Sequence, residues 1–187
     1  MSVIKTGEVL DAIDAIRAGV LAIARAEIST AAVKGSREVR QYWRDVGARV
    51  GAKPYNDFQL HQAADSKEWC GVFALWVLRE AGLIDVPWQQ GVGFARGRLP
   101  VIAKPEPADL FIGPAPMWHH GIVEAHTLLE IRPWLKSIEG NTPCVSAKNR
   151  PAPADPIYRD GKIIGWREHL TYYSILPLIK RKLGIEQ

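Results

Sequence analysis

The feature that most constrains this fold is the run 68–82, which is apolar at almost every position and includes Cys70. A helix drawn through this run has apolar side chains on nearly all its sides, a pattern typical of a buried central helix rather than a surface one. Gly82 is suited to end that helix, because glycine readily takes the left-handed conformation that often follows a last turn. The rest of the chain is therefore expected to pack around this helix.

Cys70 stands at the first turn of the predicted helix, where a buried helix has no structural need for a thiol. Backbone N–H groups there have no intrahelical partner, and the helix dipole places partial positive charge beside the sulfur. Both effects favour the thiolate over the thiol. We therefore predict that Cys70 is a nucleophile. The alternative is that it is a small buried hydrophobic residue, as many free cysteines are.

Length and composition limit the class of protein. A chain of 187 residues is large enough for one well-packed domain and short for two, so we expect a single domain over residues 1–187. No stretch is long and apolar enough to span a membrane, and residues 1–8 lack the pattern of a secretory signal. The net charge of +4 suits an anionic partner, but the basic residues are spread out and nucleic acid is not the expected one. We expect a protein made in the cytoplasm without a signal peptide.

The order of the predicted elements indicates the fold class. Amphipathic helices come first and strands come later, which predicts an α+β fold with N-terminal helices packed on a small antiparallel sheet. Helices are predicted at 8–30, 37–49 and 174–183, and strands at 108–112, 119–126 and 132–138. We expect a loop at 52–67, a rigid proline-rich connector at 150–156 and a hairpin at 158–166.

A histidine pair in the second predicted strand supplies a general base for the thiol. In an extended strand His119 and His120 point to opposite faces, so only one of them is expected to act on Cys70. We favour His119, because Gly121 on the same face would leave room for a substrate.

Two polar residues near the end of the third predicted strand complete the candidate site. Glu139 and Asn141 are two apart and share a strand face, so either can hold the histidine ring in place. The catalytic set is therefore predicted to be Cys70, His119, Glu139 and Asn141. The oxyanion is expected to meet the backbone N–H of Cys70, with Gln59 or Gln62 as weaker candidates for a side-chain donor.

Two tryptophans precede proposed catalytic residues, and a tryptophan ring can stack on a sugar. Trp118 is a candidate substrate-binding residue on this ground. Trp69 is a second candidate, although core packing is the favoured interpretation for a residue that flanks a buried helix.

A zinc site or a disulfide is a less well supported interpretation of these cysteines and histidines than a catalytic site. Histidine and thiolate are the usual ligands of zinc, which directs attention to His119, His120, His126 and Cys144. No pair among them has a recognised metal spacing, and strand alternation points His119 away from the other two histidines. A disulfide between Cys70 and Cys144 would remove the nucleophile. We expect no disulfide, no metal and no organic cofactor.

Three segments in this order resemble successive motifs of the CHAP family, the cysteine, histidine-dependent amidohydrolases/peptidases, which are papain-like. They are Trp69-Cys70-Gly71-Val72-Phe73, His119-His120-Gly121-Ile122-Val123 and Ile138-Glu139-Gly140-Asn141. The segment Ala108-Asp109-Leu110-Phe111 also resembles the family's Gly-Asp-Leu-Val-Phe, with Ala in place of Gly. His120 stands where the family has an apolar residue. The resemblance covers about 65–145, between N-terminal helices at 8–50 and a C-terminal extension at 146–187.

The resemblance implies a papain-like fold and hydrolysis of amide bonds in bacterial peptidoglycan, with the stem peptide as substrate. Cys70 would be the nucleophile, His119 the base, and Glu139 and Asn141 the orienting groups. Two settings fit a protein without a signal peptide that acts on the cell wall after export or lysis: an antibacterial effector with a cognate immunity protein, or a phage lysin. The alternatives are a catalytically silent wall-binding module and a papain-like deamidase or transglutaminase that acts on a protein.

Overall fold

The computed structural model describes residues 6–30, 32–88, 94–114, 119–128, 132–141, 144–159 and 162–185. Four helices precede the main sheet and one follows it. They are α1 (Thr6–Ala26), α2 (Arg37–Asp45), α3 (Asp57–Ser66), α4 (Cys70–Glu80) and α5 (Leu176–Lys182). A 3₁₀ turn at Glu27–Ser29 extends α1.

Within the described residues, ten strands form three antiparallel sheets. They are β1 (Arg49–Val50), β2 (Lys53–Pro54), β3 (Val101–Ile102), β4 (Leu110–Ile112), β5 (His120–Leu128), β6 (Pro133–Glu139), β7 (Ser146–Pro151), β8 (Ala154–Arg159), β9 (Lys162–Glu168) and β10 (Thr171–Tyr173). The main sheet has the order β3-β10-β4-β5-β6-β7, while β1–β2 and β8–β9 are separate pairs. The predicted α+β class, with helices before an antiparallel sheet, is confirmed.

Helix α4 lies at the centre of the core, as its all-round apolar sequence predicts. Eight of its eleven residues are buried, and it contacts α1, α2, β5 and β6. It ends as predicted, because Gly82 takes a left-handed φ of 63°. Surrounding elements bury all of the helix except a short stripe at Trp76, Arg79 and Glu80, which explains the weak polar periodicity in the run.

The two N-terminal helices follow the predicted order with a change of boundary. The Ser36 hydroxyl accepts a hydrogen bond from the backbone N–H of Val39 at 3.2 Å and caps α2. The helix ends at Asp45, four residues before the predicted end, because Gly47 follows with a left-handed φ of 58°. On its buried face, Tyr42 and Trp43 join the same core cluster as α4.

The segment 52–67 is not the loop that was predicted, since most of it forms α3. A reciprocal capping box starts this helix: the Asn56 side chain accepts from the Gln59 N–H at 2.9 Å, and the Gln59 side chain accepts from the Asn56 N–H at 3.0 Å. The residues lie three apart, which is the spacing of this motif. The signal was present in the sequence, although the apolar periodicity that usually accompanies it is weak.

The C-terminal region also differs from its prediction. The connector predicted at 150–156 contributes to β7, which ends at Pro151, and to β8, which contains Pro156. Strand β10 lies inside the main sheet between β3 and β4. Residues after 145 thus complete the sheet. The predicted hairpin is confirmed, because β8 and β9 pair with Arg159 opposite Lys162, and the predicted final helix corresponds to α5.

The two faces of the main sheet carry separate apolar clusters. Ile122 and Ile138 join the large core that includes α4. Val123 joins Phe111 and Leu135 in a smaller cluster on the other face. This alternation along β5 is the one that the sequence predicts.

In the part of the chain that the structure describes, no helix has both the length and the apolar character needed to cross a bilayer.

Candidate active site

The sulfur of Cys70 lies at the N-terminal end of α4, as predicted. Trp69 precedes the helix and gives it no side-chain cap, so the first N–H groups are not occupied by a capping side chain. These N–H groups and the positive end of the helix dipole are next to the sulfur. Cys70 is 6% exposed. The thiol is therefore shielded from bulk water but open to its immediate partners.

Both histidines of the pair have Cys70 as a partner, which corrects the prediction that only one of them faces it. His120 Nδ1 lies 3.9 Å from the Cys70 sulfur, and the His119 side chain is close enough to lower the pKa of the thiol. Strand alternation does not separate them, because β5 begins at His120 and His119 lies just outside the strand. Two imidazole rings therefore share one sulfur.

Among the described residues, a carboxylate is hydrogen-bonded to the ring of His119 but not to that of His120. His119 Nε2 donates to Oε2 of Glu139 at 2.8 Å, and Glu139 is 1% exposed. Because Nε2 is engaged by the carboxylate, Nδ1 is the ring nitrogen left to exchange a proton with Cys70. The order thiol, imidazole, carboxylate is that of a nucleophile, its base and the group that orients the base.

The second oxygen of Glu139 is held by two side chains that the sequence analysis did not select. Arg150 Nη2 donates to Oε1 at 2.6 Å, and the Ser137 hydroxyl donates to the same oxygen. Ser137 lies two residues earlier on β6, and Arg150 comes from the neighbouring strand β7. With both oxygens bonded, the carboxylate is fixed in one orientation.

The charges of these groups stabilise one another. Burial by itself would raise the pKa of the Cys70 thiol, but hydrogen bonds from His119 and His120 and the charge of His120 lower it from 9.0 to about 6. Burial would lower the pKa of His119, but its hydrogen bonds to Cys70 and Glu139 raise it from 6.5 to about 9. At neutral pH the site therefore contains a thiolate beside an imidazolium.

The carboxylate stays ionised in spite of its burial. Desolvation would raise the pKa of Glu139, and the hydrogen bonds from His119 and Ser137 together with the Arg150 charge lower it below its ordinary value. Together with Cys70, a charged Glu139 keeps the His119 ring protonated, and its hydrogen bond aligns the ring.

Three glycines allow the close packing around the site. A Cβ on Gly71 would lie 2.6 Å from the Trp88 ring and 3.2 Å from Cε1 of His120, and a Cβ on Gly140 would lie 2.8 Å from the Trp69 ring. A Cβ on Gly121 would overlap the Phe111 ring. Gly121 was predicted to leave room for a substrate, but Phe111 and Glu139 occupy that space.

Asn141 does not share the role of Glu139 in this structure. Strand β6 ends at Glu139, and Asn141 follows with a left-handed φ of 66°, a conformation that asparagine tolerates. Glu139 and Asn141 therefore do not share a strand face. Within the described residues, Glu139 is the carboxylate or amide partner of the His119 ring, and a catalytic role for Asn141 stays a prediction.

The other predicted site residues divide into three groups. Trp69 is fully buried and packs against Tyr42 and Phe73, so it is a core residue and its candidacy for substrate binding was wrong. Trp118 lies outside the described residues. Gln59 is engaged in the cap of α3, which removes it as an oxyanion donor in this conformation.

Three residues near the site were not predicted, and the sequence marked only one of them. His120 was marked by its departure from the apolar residue of the resembling motif. Arg150 gave no signal, because its approach to Glu139 depends on the pairing of β6 with β7. Trp88, which meets His120 edge-on with the ring centroids 6.4 Å apart, comes from the segment after α4 and gave none either.

No cluster of three or more His, Cys, Asp or Glu side chains suited to a metal ion occurs among the described residues. Neither cysteine forms a disulfide, and Cys70 is buried while Cys144 is half-buried. A thiolate with an adjacent proton carrier is the arrangement that acyl transfer requires. Comparison of the chain with protein-family models, with curated proteins and with solved structures finds no match.

Proposed function

We propose that this protein is a cysteine hydrolase that cleaves amide bonds of bacterial peptidoglycan. The observation that carries the proposal is the ordered set Cys70, His119 and Glu139, in which a thiol at a helix N-terminus meets an imidazole fixed by a buried carboxylate. A thiol that served only for packing would need neither a proton carrier nor an anion behind that carrier.

In the proposed reaction the Cys70 thiolate attacks the carbonyl carbon of the amide and forms a carbon–sulfur bond. The carbonyl oxygen becomes an oxyanion that the backbone N–H groups at the start of α4 stabilise. The carbon–nitrogen bond then breaks as the His119 imidazolium donates its proton to the leaving amine. Water, deprotonated by neutral His119, attacks the thioester and releases the acid and the Cys70 thiolate. Glu139 keeps the imidazole in position throughout.

The substrate class rests on the resemblance to CHAP enzymes. The Gly of the family's Gly-Asp-Leu-Val-Phe segment corresponds to Ala108, whose φ of 71° lies in the left-handed region that favours glycine. The positive net charge suits the anionic wall polymer. The papain-like relationship belongs to the same proposal, as does action on the wall after export or lysis. Of the two settings, an antibacterial effector with an immunity protein is favoured over a phage lysin.

The proposal is tested on purified sacculi of several wall chemotypes, with released fragments identified by mass spectrometry. We expect fragments from the wild type and from Cys144→Ser, which keeps the proposed nucleophile, and none from Cys70→Ala. Their masses would identify the bond. Equal release by Cys70→Ala would remove Cys70 from the reaction. Intact sacculi with folded wild type on every chemotype would contradict wall hydrolysis and favour a binding module or a protein-directed enzyme.

A further inference from the structure

A row of arginines on α2 faces away from the proposed catalytic site. Arg37, Arg40 and Arg44 follow one another at spacings of three and four residues, so their side chains lie on one face about a turn apart. The opposite face of α2 bears Tyr42 and Trp43, which are buried in the core shared with α4. The arginine row is therefore separated from Cys70 by the body of a helix.

These three arginines line a cavity of about 250 Å³ between α2 and α3. Leu60, which is buried, and His61 contribute the α3 side. The residues that line the cavity, all within the described chain, include three guanidinium groups and no carboxylate. Its volume is below the usual range for drug-sized ligands, which indicates a compact group as the occupant.

The charges of the row are only partly compensated. Arg44 pairs with Asp57 at 3.5 Å across an exposed position, and Arg40 Nη1 lies 2.8 Å from a ring nitrogen of His61. Among the described residues, no carboxylate lies within 4 Å of the Arg37 guanidinium. Like charges one turn apart repel each other, so the row itself destabilises α2 unless an anion is present.

The other carboxylates of the two helices do not line the cavity. Asp45 accepts hydrogen bonds from Gln41 and from the indole N–H of Trp76. Glu38 and Asp65 belong to α2 and α3 but do not line the cavity. Hydrogen bonds from its backbone and from Ser36 lower the pKa of Glu38, and the charges of Arg37 and Arg40 lower it further, so Glu38 compensates part of the charge of the row from outside the cavity. The cavity therefore has a surplus of donors for a multiply charged anion.

We propose that the cavity between α2 and α3 binds a phosphate group through Arg37, Arg40 and Arg44. Guanidinium groups match the oxygen geometry of phosphate with paired hydrogen bonds. Three of them around a small cavity favour an anion with three or more oxygens and more than one charge over a single carboxylate. This site is independent of the proposed hydrolysis, since no residue is shared between the two.

The experiment measures binding of inorganic phosphate and pyrophosphate by isothermal titration calorimetry, with malonate as the carboxylate comparison. We expect the wild type to bind pyrophosphate more tightly than phosphate and both more tightly than malonate. Arg40→Gln should weaken binding about tenfold or more, because it removes a charge-assisted donor. Arg40→Lys keeps the positive charge but loses the paired N–H donors of the guanidinium group, so it should also bind phosphate more weakly than the wild type.

Arg98→Gln is the matched control, because it removes the same charge from an exposed arginine that does not line the cavity. It should bind phosphate as the wild type does. Equal weakening by Arg98→Gln and Arg40→Gln would mean that net charge alone attracts the anion and would overturn the site. Malonate binding as tight as pyrophosphate, or no binding at millimolar concentrations, would overturn it too. Folding of each variant is checked by far-ultraviolet circular dichroism.

The source of the phosphate is resolved with phosphatidylcholine vesicles that contain or lack phosphatidic acid. Cosedimentation that requires phosphatidic acid and Arg40 would assign a lipid headgroup. Phosphate binding without vesicle binding would assign a soluble phosphate or a polymer-borne one. A Cys70→Ala variant should bind both probes unchanged, which separates this result from the outcome of the sacculus experiment.

Discussion

Cys70 has two imidazole partners and a pKa of about 6, so its reactivity should begin far below that of an ordinary thiol. We expect the rate of alkylation by iodoacetamide to rise with a midpoint near pH 6, because only the thiolate reacts and the lowered pKa makes it the dominant form above that pH. The measurement uses the Cys144→Ser protein, in which Cys70 is the one thiol. A midpoint near 9 would contradict the ion pair.

The rate of hydrolysis should fall at high pH as well as at low pH. Leaving-group protonation requires the imidazolium of His119, whose pKa is raised to about 9. Activity on sacculi should therefore rise through pH 6 and fall through pH 9, giving a bell-shaped profile. A profile that stays flat from pH 8 to pH 10 would argue against His119 as the acid.

His120 is expected to tune the thiol without acting as the base, because only His119 is held by a carboxylate. His120→Val should raise the midpoint of Cys70 alkylation but keep hydrolysis within about tenfold of the wild type. His119→Ala should lower hydrolysis by about 10²- to 10⁴-fold, the usual contribution of a general acid–base. If His120→Val were as inactive as His119→Ala, the roles would be reversed.

At the scale of the element, the start of α4 depends on a glycine that has no room for a side chain. Ala ordinarily stabilises a helix over Gly by up to about 1 kcal/mol. Gly71→Ala should instead destabilise the protein, because the new Cβ would lie 2.6 Å from the Trp88 ring and 3.2 Å from His120. Displacement of His120 should also slow Cys70 alkylation. Both effects are measured on purified protein, by chemical denaturation and by iodoacetamide.

Gly19→Ala is the matched control in α1, since a Cβ there meets nothing within 4 Å. It should stabilise the protein by about 0.5–1 kcal/mol through helix propensity alone. Stabilisation by both substitutions would show that the first turn of α4 is not tightly packed.

At the scale of the whole molecule, a buried ion pair joins the two ends of the chain. Arg17 on α1 donates to Asp109 at 3.1 Å, with side chains 8% and 0% exposed. Asp109 also accepts from the backbone N–H of Ile175, immediately before α5, at 2.9 Å and from that of Glu106 at 2.9 Å. One carboxylate thus connects α1, the start of β4 and the approach to α5.

Asp109→Ala should lower the free energy of unfolding by about 3–5 kcal/mol, because it leaves the Arg17 charge buried and unpaired. Urea denaturation measures the loss. The Arg17→Met/Asp109→Asn double variant should lose less, since no isolated charge remains. The exposed pair of Arg25 with Glu124 is the comparison, and Arg25→Gln should cost no more than about 1 kcal/mol. An Asp109→Ala loss as small as that would show that the buried pair does not stabilise the fold.

Prediction from the sequence succeeded where the signal is local. The buried character of α4, its cap at Gly82 and the face alternation along β5 follow from the pattern of apolar residues and a glycine. The α3 helix was missed, although its capping box was present, because its weak apolar periodicity gave the helix no second signal.

The residues of the proposed site divide in the same way. The sequence by itself determined that Cys70 begins a buried helix and that histidine and carboxylate side chains follow in order, because residue type and periodicity are local properties of the chain. The tertiary structure alone decided that both His119 and His120 meet the thiol, that Glu139 rather than Asn141 holds His119, and that Arg150 holds Glu139. These contacts depend on where strands begin and end and on which strands pair, and the free energy that sets those positions comes from packing between distant segments.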